Sequence, residues 1–392
     1  MTTQDPDSYP SITPPSLLLL ILDIHPLSWS LLATPPPPSA HPQPVINKAP
    51  ATPLTLSEFV TTLMVFLNAH LASRWNNEVV VYAATAGRAK LLYPPSEEHD
   101  AGLSRVKSNS YVPFARLDKS LEEGLKDMIR EEEDRIEDGD GKGLNDPPAL
   151  VSALTKALCY INRKTPPPPP PSALTSQTIE SATNADSVEN RIMVINATPS
   201  NNNDSGKGKG SYVGLMNCVF AAQKSKIPID ILTLPPPSTN TPQPIFLQQA
   251  AYLTGGVYWR WNGRGGLLQF LHVLEFVSTG MFPPDRSLQT IYLPPPSLRV
   301  HPFAVPPQDA VDFRAVCFCH QNVVDVGFVC SVCLSIFCKP LPVCLMCKTK
   351  FPIKSLPGLA ALAANIEPVP LPDIIPPLPI KKTKKGAEGI IA

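Results

Sequence analysis

Seven of the nine cysteines in this 392-residue chain lie between Cys317 and Cys347, in the text CFCHQNVVDVGFVCSVCLSIFCKPLPVCLMC. Two C-x2-C knuckles stand out, Cys330–Cys333 and Cys344–Cys347, with ten residues between them. A C-x2-C turn sets two thiols on one side of a tight bend. Two such turns supply the four soft sulfurs that tetrahedral zinc prefers. The spacing predicts a zinc site built from Cys330, Cys333, Cys344 and Cys347, inside a small module over residues 313–352.

Cys317, Cys319, His320 and Cys338 are left over. In a cross-braced two-zinc module, ligand pairs one and three share one ion, and pairs two and four share the other. The knuckles occupy the second and fourth positions of that scheme. The third pair offers only Cys338, so a second site would take three thiolates and the His320 imidazole. Its neighbouring ligands Cys319 and His320 would then have to reach one ion. In the alternative, Cys317, Cys319 and Cys338 pack as small apolar thiols. Both readings stand.

The 49 prolines limit how much of the chain can be core. Runs such as Pro35–Pro38 and Pro166–Pro171 belong to extended, solvated segments. Residues 1–15 and 353–392 read as disordered tails, 283–312 as a Pro-rich linker, and 34–54, 165–189 and 199–210 as insertions. Lys plus Arg and Asp plus Glu are equal at 33 each, so no overall field would draw the chain to nucleic acid or an anionic membrane. Asp5 and Asp7, with no early Lys or Arg, do not suit a signal peptide. The apolar run Leu17–Leu22 is too short to span a bilayer. Cysteines clustered in metal spacing fit a reducing compartment.

Between the tails, strand and helix patterns alternate. Ser16–Ile24, Glu78–Ala84, Arg191–Ala197, Ile227–Leu234 and Val257–Trp261 read as strands, with Ala89–Tyr93 paired to the second across a hairpin. Helical periodicity begins at a Ser57 N-cap and places Phe59, Leu63, Phe66, Leu67 and His70 on one face, ending near Trp75–Asn77. In Leu117–Ile136, a stripe of Leu117, Leu121, Leu125, Met128 and Ile129 faces inward, and Glu131–Asp134 faces water. Further helices are expected over Ala149–Lys164 (with Cys159 a buried core thiol), Tyr212–Gln223, Ile245–Leu253 and Leu267–Val277. This alternation implies an α/β domain over residues 16–282, with a doubly wound, mainly parallel sheet.

No Gly-rich dinucleotide turn follows the first strand, and Gly206–Gly210 lacks phosphate-loop spacing. No nucleophile elbow or paired carboxylates stand out. An acidic residue closing the first apolar strand resembles the von Willebrand factor A fold, whose metal site uses D-x-S-x-S. Here Asp23 is present, but the serine positions hold His25 and Leu27. Leu27 cannot ligate, and a hard divalent cation prefers oxygen to the imidazole of His25. That metal site is therefore read as lost, with Asp23 bonding backbone at the strand end. His70 and His272 are expected to play packing roles.

The cysteine segment is rich in apolar residues, among them Val329, Val332, Leu334, Ile336, Phe337, Val343 and Leu345. So much apolar surface on a small module favours docking to another protein or to the α/β domain. Lys339 is the only Lys or Arg between Cys317 and Cys347, which disfavours direct DNA binding. A RING-like ubiquitin ligase and a zinc-dependent DNA-binding protein are the alternatives.

The text LLILDIHPLSW, TGGVYWRW and VDFRAVCFCH…GFVCSVCLSIFC…C-x2-C carries a more specific likeness. It resembles the family of smaller von Willebrand A/zinc subunits of the general transcription factor TFIIH, over about residues 16–283 and 311–352. The resemblance implies a non-catalytic scaffold in the nucleus, serving RNA polymerase II initiation and nucleotide excision repair. It implies the larger von Willebrand A/zinc subunit and other core subunits as partners, with DNA met only through the complex. No membrane and no small-molecule substrate are implied. Lys381–Lys385 reads equally as an import signal or a solvated tail.

Overall fold

The structure, a computed structural model, describes residues 14–35, 52–95, 111–137, 146–164, 188–199, 209–234, 244–261, 263, 266–272, 292–299 and 327–350, with 311, 313, 317–319 and 324. Outside the described residues lie 1–13, most of each Pro-rich insertion, Gly206–Gly208, His320, residues 273–277 of the last expected helix, and the Lys-rich tail.

Strand β1, Ser16–Asp23, is buried along its whole length. Its side chains alternate between two cores: Leu18, Leu20 and Leu22 enter one, Leu17, Leu19 and Ile21 the other. A strand covered on both faces is an unbroken apolar run, as the sequence predicts. Around it run β2 (Glu78–Thr85), β3 (Arg88–Tyr93), β4 (Glu189–Asn196), β5 (Ile229–Thr233) and β6 (Tyr258–Arg260). The spatial order is β3-β2-β1-β4-β5-β6, with every neighbouring pair parallel except β2–β3. This is the doubly wound α/β sheet expected from the alternation.

One face carries helices α1 (Pro26–Ala33), α2 (Leu56–Ser73), α3 (Val112–Glu137) and α7 (Leu267–His272). The other carries α4 (Leu150–Lys164), α5 (Lys209–Lys224) and α6 (Ile245–Thr254). Helix α1 leaves no periodic signal, because PLSWSLLA is apolar on nearly every side. The start of α2 is not Ser57 but Thr55, which forms a reciprocal capping box with Glu58. The Thr-x-x-Glu pairing satisfies two orphan donors at once, which a serine two residues later cannot do.

Two other expectations are corrected. In α3, Ile129 is exposed and Glu132 is buried, held by Thr85 at 3.0 Å and by both oxygens to Arg135. Leu117, Leu121, Leu125 and Met128 are buried as expected, and the stripe continues through Glu132 in place of Ile129, because a buried carboxylate with three hydrogen bonds is tolerated. In α4, Ala153, Leu154, Ala157 and Ile161 are buried, and Cys159 lies on the exposed side of that helix.

Helix α6 stops where the Thr-Gly-Gly text predicts. Gly255 is left-handed (φ 71°), and Gly256 N–H returns to Ala251 O at 2.8 Å. Gly256 also lets β5 approach, since a Cβ there would lie 2.0 Å from Ile229 O.

Within the expected linker, Tyr292–Arg299 is part of the domain instead. Tyr292 is fully buried in the core on the α2 face of the sheet, with its hydroxyl on Ile231 O, and Pro296–Arg299 is a 3-10 turn. The chain then reaches the cysteine module, whose antiparallel strands are β7 (Phe328–Val329) and β8 (Ile336–Phe337).

Candidate metal centre

The two knuckles are built as copies of each other. Leu334 N–H closes the first turn on Cys330 O, and Lys348 N–H closes the second on Cys344 O, each at 2.9 Å. The residue after each second cysteine is left-handed: Leu334 and Lys348 both have φ 58°. One residue further, the backbone carbonyls of Ser335 and Thr349 accept from the N–H groups of Cys330 and Cys344. The Ser335 and Thr349 hydroxyls sit 3.2 and 3.0 Å from the sulfurs of Cys333 and Cys347. A left-handed non-glycine residue costs on the order of 1 kcal/mol, and this module carries two of them. Both turns accept that cost to point a pair of thiols inward.

The four knuckle sulfurs all lie within 4.8 Å of one another. Cys330 and Cys347 are 3.7 Å apart, Cys333 and Cys344 3.5 Å. Tetrahedral zinc with bonds of about 2.3 Å needs sulfurs about 3.8 Å apart. The set fits the ion. The hydrogen bond from Ser335 pulls the Cys333 thiol down to about 6, and Thr349 lowers Cys347 as well. Burial pushes Cys344 up to about 11. A cation entering there must displace protons, so its binding is coupled to pH.

Cys317, Cys319 and Cys338 form a second group, with Cys319 and Cys338 sulfurs 3.4 Å apart. Phe318 N–H bonds Ile336 O and draws the C-x-C text onto β8. The two groups interleave along the chain, as a cross-braced arrangement requires. Burial, with Cys319 adding to it, pushes Cys338 up to about 12. Three thiols so close could hold an ion, and His320 lies outside the described residues.

At the carboxyl end of β1, where strand order reverses between β2 and β4, the sheet has the crevice in which such folds bind ligands. Here Asp23 is fully buried, and both oxygens face the protein. Oδ1 accepts from His25 N–H (3.0 Å), and Oδ2 accepts from Ala197 (3.1 Å) and Thr198 (2.8 Å). Trp29 Nε1 donates to the Asp23 carbonyl, and Ser28 meets Thr198 hydroxyl to hydroxyl at 2.9 Å. Burial pushes the Asp23 carboxyl up, against these hydrogen bonds. His25 turns its Nε2 to Asp146 O, and Leu27 is exposed. The position reads as a latch between the ends of β1 and β4. A cleft of about 410 Å³ lies elsewhere, beside β3, lined by Arg88, Lys90, Glu131 and Lys156. Arg88 and Lys90 pair with Glu131 there, Lys90 at 2.7 Å, and Lys156 donates to Ala89 O.

The sheet order, the closed Asp23 position and the paired knuckles define a von Willebrand factor A-like domain joined to a cysteine module able to hold metal. The model of the family Transcription factor Tfb4 matches residues 15–348. The chain belongs to that family, which bears out the resemblance seen in its text. It is 33% identical over 345 residues to the general transcription and DNA repair factor IIH subunit tfb4 of Schizosaccharomyces pombe, covering 87% of this chain and 91% of the relative. The Arabidopsis thaliana subunit of the same name is 32% identical over 346 residues, with 86% and 89% covered. A crystal structure of the TFIIH p34 N-terminal domain is 28% identical, covering 66% of this chain and 96% of that one, with a TM-score of 0.44. The RING-like ligase and DNA-binding alternatives gain no support from these relatives. Among the described residues, no helix is long and apolar enough to cross a membrane.

Proposed function

We propose that this chain is a non-catalytic, structural subunit of general transcription and DNA repair factor IIH. It serves RNA polymerase II initiation and nucleotide excision repair through protein–protein contacts of its A-type domain and cysteine module. The observation that carries this reading is where the free valence lies. At the Asp23 end of the sheet, both carboxyl oxygens are taken up by backbone N–H groups. On the knuckles, Val332 and Leu334 stand 64% and 72% exposed. Apolar side chains at the tips of metal-braced turns suit docking to another protein.

In this reading zinc is the resident cofactor, held by Cys330, Cys333, Cys344 and Cys347. It supplies a cross-link that fixes the knuckles and takes no part in chemistry. Cys317, Cys319 and Cys338, with His320 as fourth ligand, would hold a second ion. The direct partner is the larger von Willebrand A/zinc subunit of the factor, beside other core subunits. DNA is met through the complex, the compartment is the nucleus, and neither a membrane nor a small-molecule substrate is involved.

The test is purification of the core complex from cells carrying Val332→Asp with Leu334→Asp. The variant should keep its zinc and lose its place in the complex. A complex of full composition assembled around that variant, or unchanged when this chain is deleted, would refute the reading.

A further inference from the structure

Residues Tyr292–Arg299 (YLPPPSLR) hold three prolines, which have no N–H to give a neighbouring strand. Their carbonyls still need donors, and a buried arginine is a donor and nothing else. Arg191, near the start of β4, is fully buried and donates to the carbonyls of Tyr292, Leu293 and Pro294. Asp230, at the start of β5 and also fully buried, receives both arms of Arg299, one at 2.7 Å, and the N–H of Val257 at 3.0 Å. The Tyr292 hydroxyl reaches Ile231 O at 2.6 Å, and Glu189 takes the N–H and hydroxyl of Ser297, each at 2.8 Å. Glu189, Arg191 and Asp230 lie toward the amino-terminal ends of β4 and β5, and Ile231 follows at the middle of β5. Further on, Phe313 meets Tyr252 of α6 edge to face at 5.0 Å, near the end of a helix that leads into β6. That contact lies at the same end of the sheet and four residues before Cys317.

We propose that Tyr292–Arg299 is a strap, locked by the Arg191–Asp230–Arg299 network, that fastens the cysteine module to the amino-terminal end of the sheet, opposite Asp23. The chain is thereby tied to the core of the A-type domain 18 residues before Cys317. This holds whether or not the subunit reading above is right, because it concerns only contacts within the chain.

The experiment uses the full zinc-loaded chain with a protease site placed between residues 280 and 288. After cleavage, the fragment carrying the strap and module should co-elute with the A-type domain in size exclusion. It should stay bound after zinc is removed with a chelator, because the strap lies outside the module. Arg299→Ala should speed fragment release by about tenfold or more, as the loss of a paired, charge-assisted contact predicts. Tyr292→Phe keeps the ring in the core and serves where Arg299→Ala fails to fold; it should release several-fold faster than wild type. Immediate loss of the wild-type fragment, loss only upon chelation, or release from Tyr292→Phe at the wild-type rate would each overturn the strap.

Discussion

His70 offers a sharp test of the buried polar end of the sheet. It lies on α2, almost wholly buried, with Nδ1 3.4 Å from Arg191 Nη2. A guanidinium can only donate, so Nδ1 must carry the lone pair and the ring must be neutral. Burial, with the Arg191 charge adding to it, lowers the His70 pKa from 6.5 to about 3. The sign follows from linkage. Between those values the unfolded chain holds a proton on His70 that the folded chain does not. Stability is therefore full above the unfolded value and falls as the pH drops toward the folded one. Each pH unit in that window is worth about 1.4 kcal/mol, so going from about pH 7 to about pH 5 should cost about 2 kcal/mol through His70 alone. Carboxylates and zinc ligands titrate too, so the informative quantity is the difference from His70→Gln, which keeps an acceptor for Arg191 and cannot be charged. All four tryptophans (29, 75, 259 and 261) lie in the A-type domain, so urea unfolding followed by tryptophan fluorescence reports that domain. Wild type should lose about 2 kcal/mol more than the variant over this range. Equal losses in the two proteins would show that His70 is protonated in the folded state and that the pairing with Arg191 is misread.

Three further expectations follow from single contacts. Asp23→Ala should destabilise the domain by about 3 kcal/mol or more, since it leaves the N–H groups of His25, Ala197 and Thr198 buried without their acceptor. Magnesium should not raise the wild-type melting temperature, and a clear rise would reopen the metal reading of that position. Metal analysis of purified protein should find one zinc fewer in Cys330→Ala, and one fewer in Cys338→Ala as well. Full zinc retention in the Cys338 variant would reduce the module to a single site. Gly256→Ala should cost about 2 kcal/mol or more in chemical denaturation, because its Cβ would lie 2.0 Å from Ile229 O and only backbone movement relieves that clash.

The sheet was legible because burial on both faces writes itself into composition: a run such as Leu17–Leu22 has few other uses in a folded domain. The four-cysteine set was legible because ligand spacing is local. What escaped were contacts whose cause lies far along the chain. Glu132 reads as solvent-facing until Thr85 and Arg135 are beside it. The strap reads as linker because proline usually marks a solvated segment, and only Arg191, about a hundred positions upstream, turns those carbonyls into anchors. Cys159 was misplaced by residue type, although the spacing of Ala153, Ala157 and Ile161 already points it outward.

The two ends of the sheet are closed in the same way. At the carboxyl end, Asp23 joins β1 to the turn after β4; at the amino-terminal end, Asp230 joins β5 to the start of β6 and to the strap. A cation at either carboxyl would have to displace these hydrogen bonds, at about 1–3 kcal/mol for each N–H left buried without an acceptor. In this fold the crevice at the strand ends is the usual place for a ligand, and here Asp23 serves cohesion instead. Cohesion at both ends leaves the chain its side surfaces and its knuckle tips for contact, and Val332 and Leu334 at those tips are apolar. A scaffold needs that division: polar groups turned inward to hold one shape, and apolar groups turned outward to meet a neighbour.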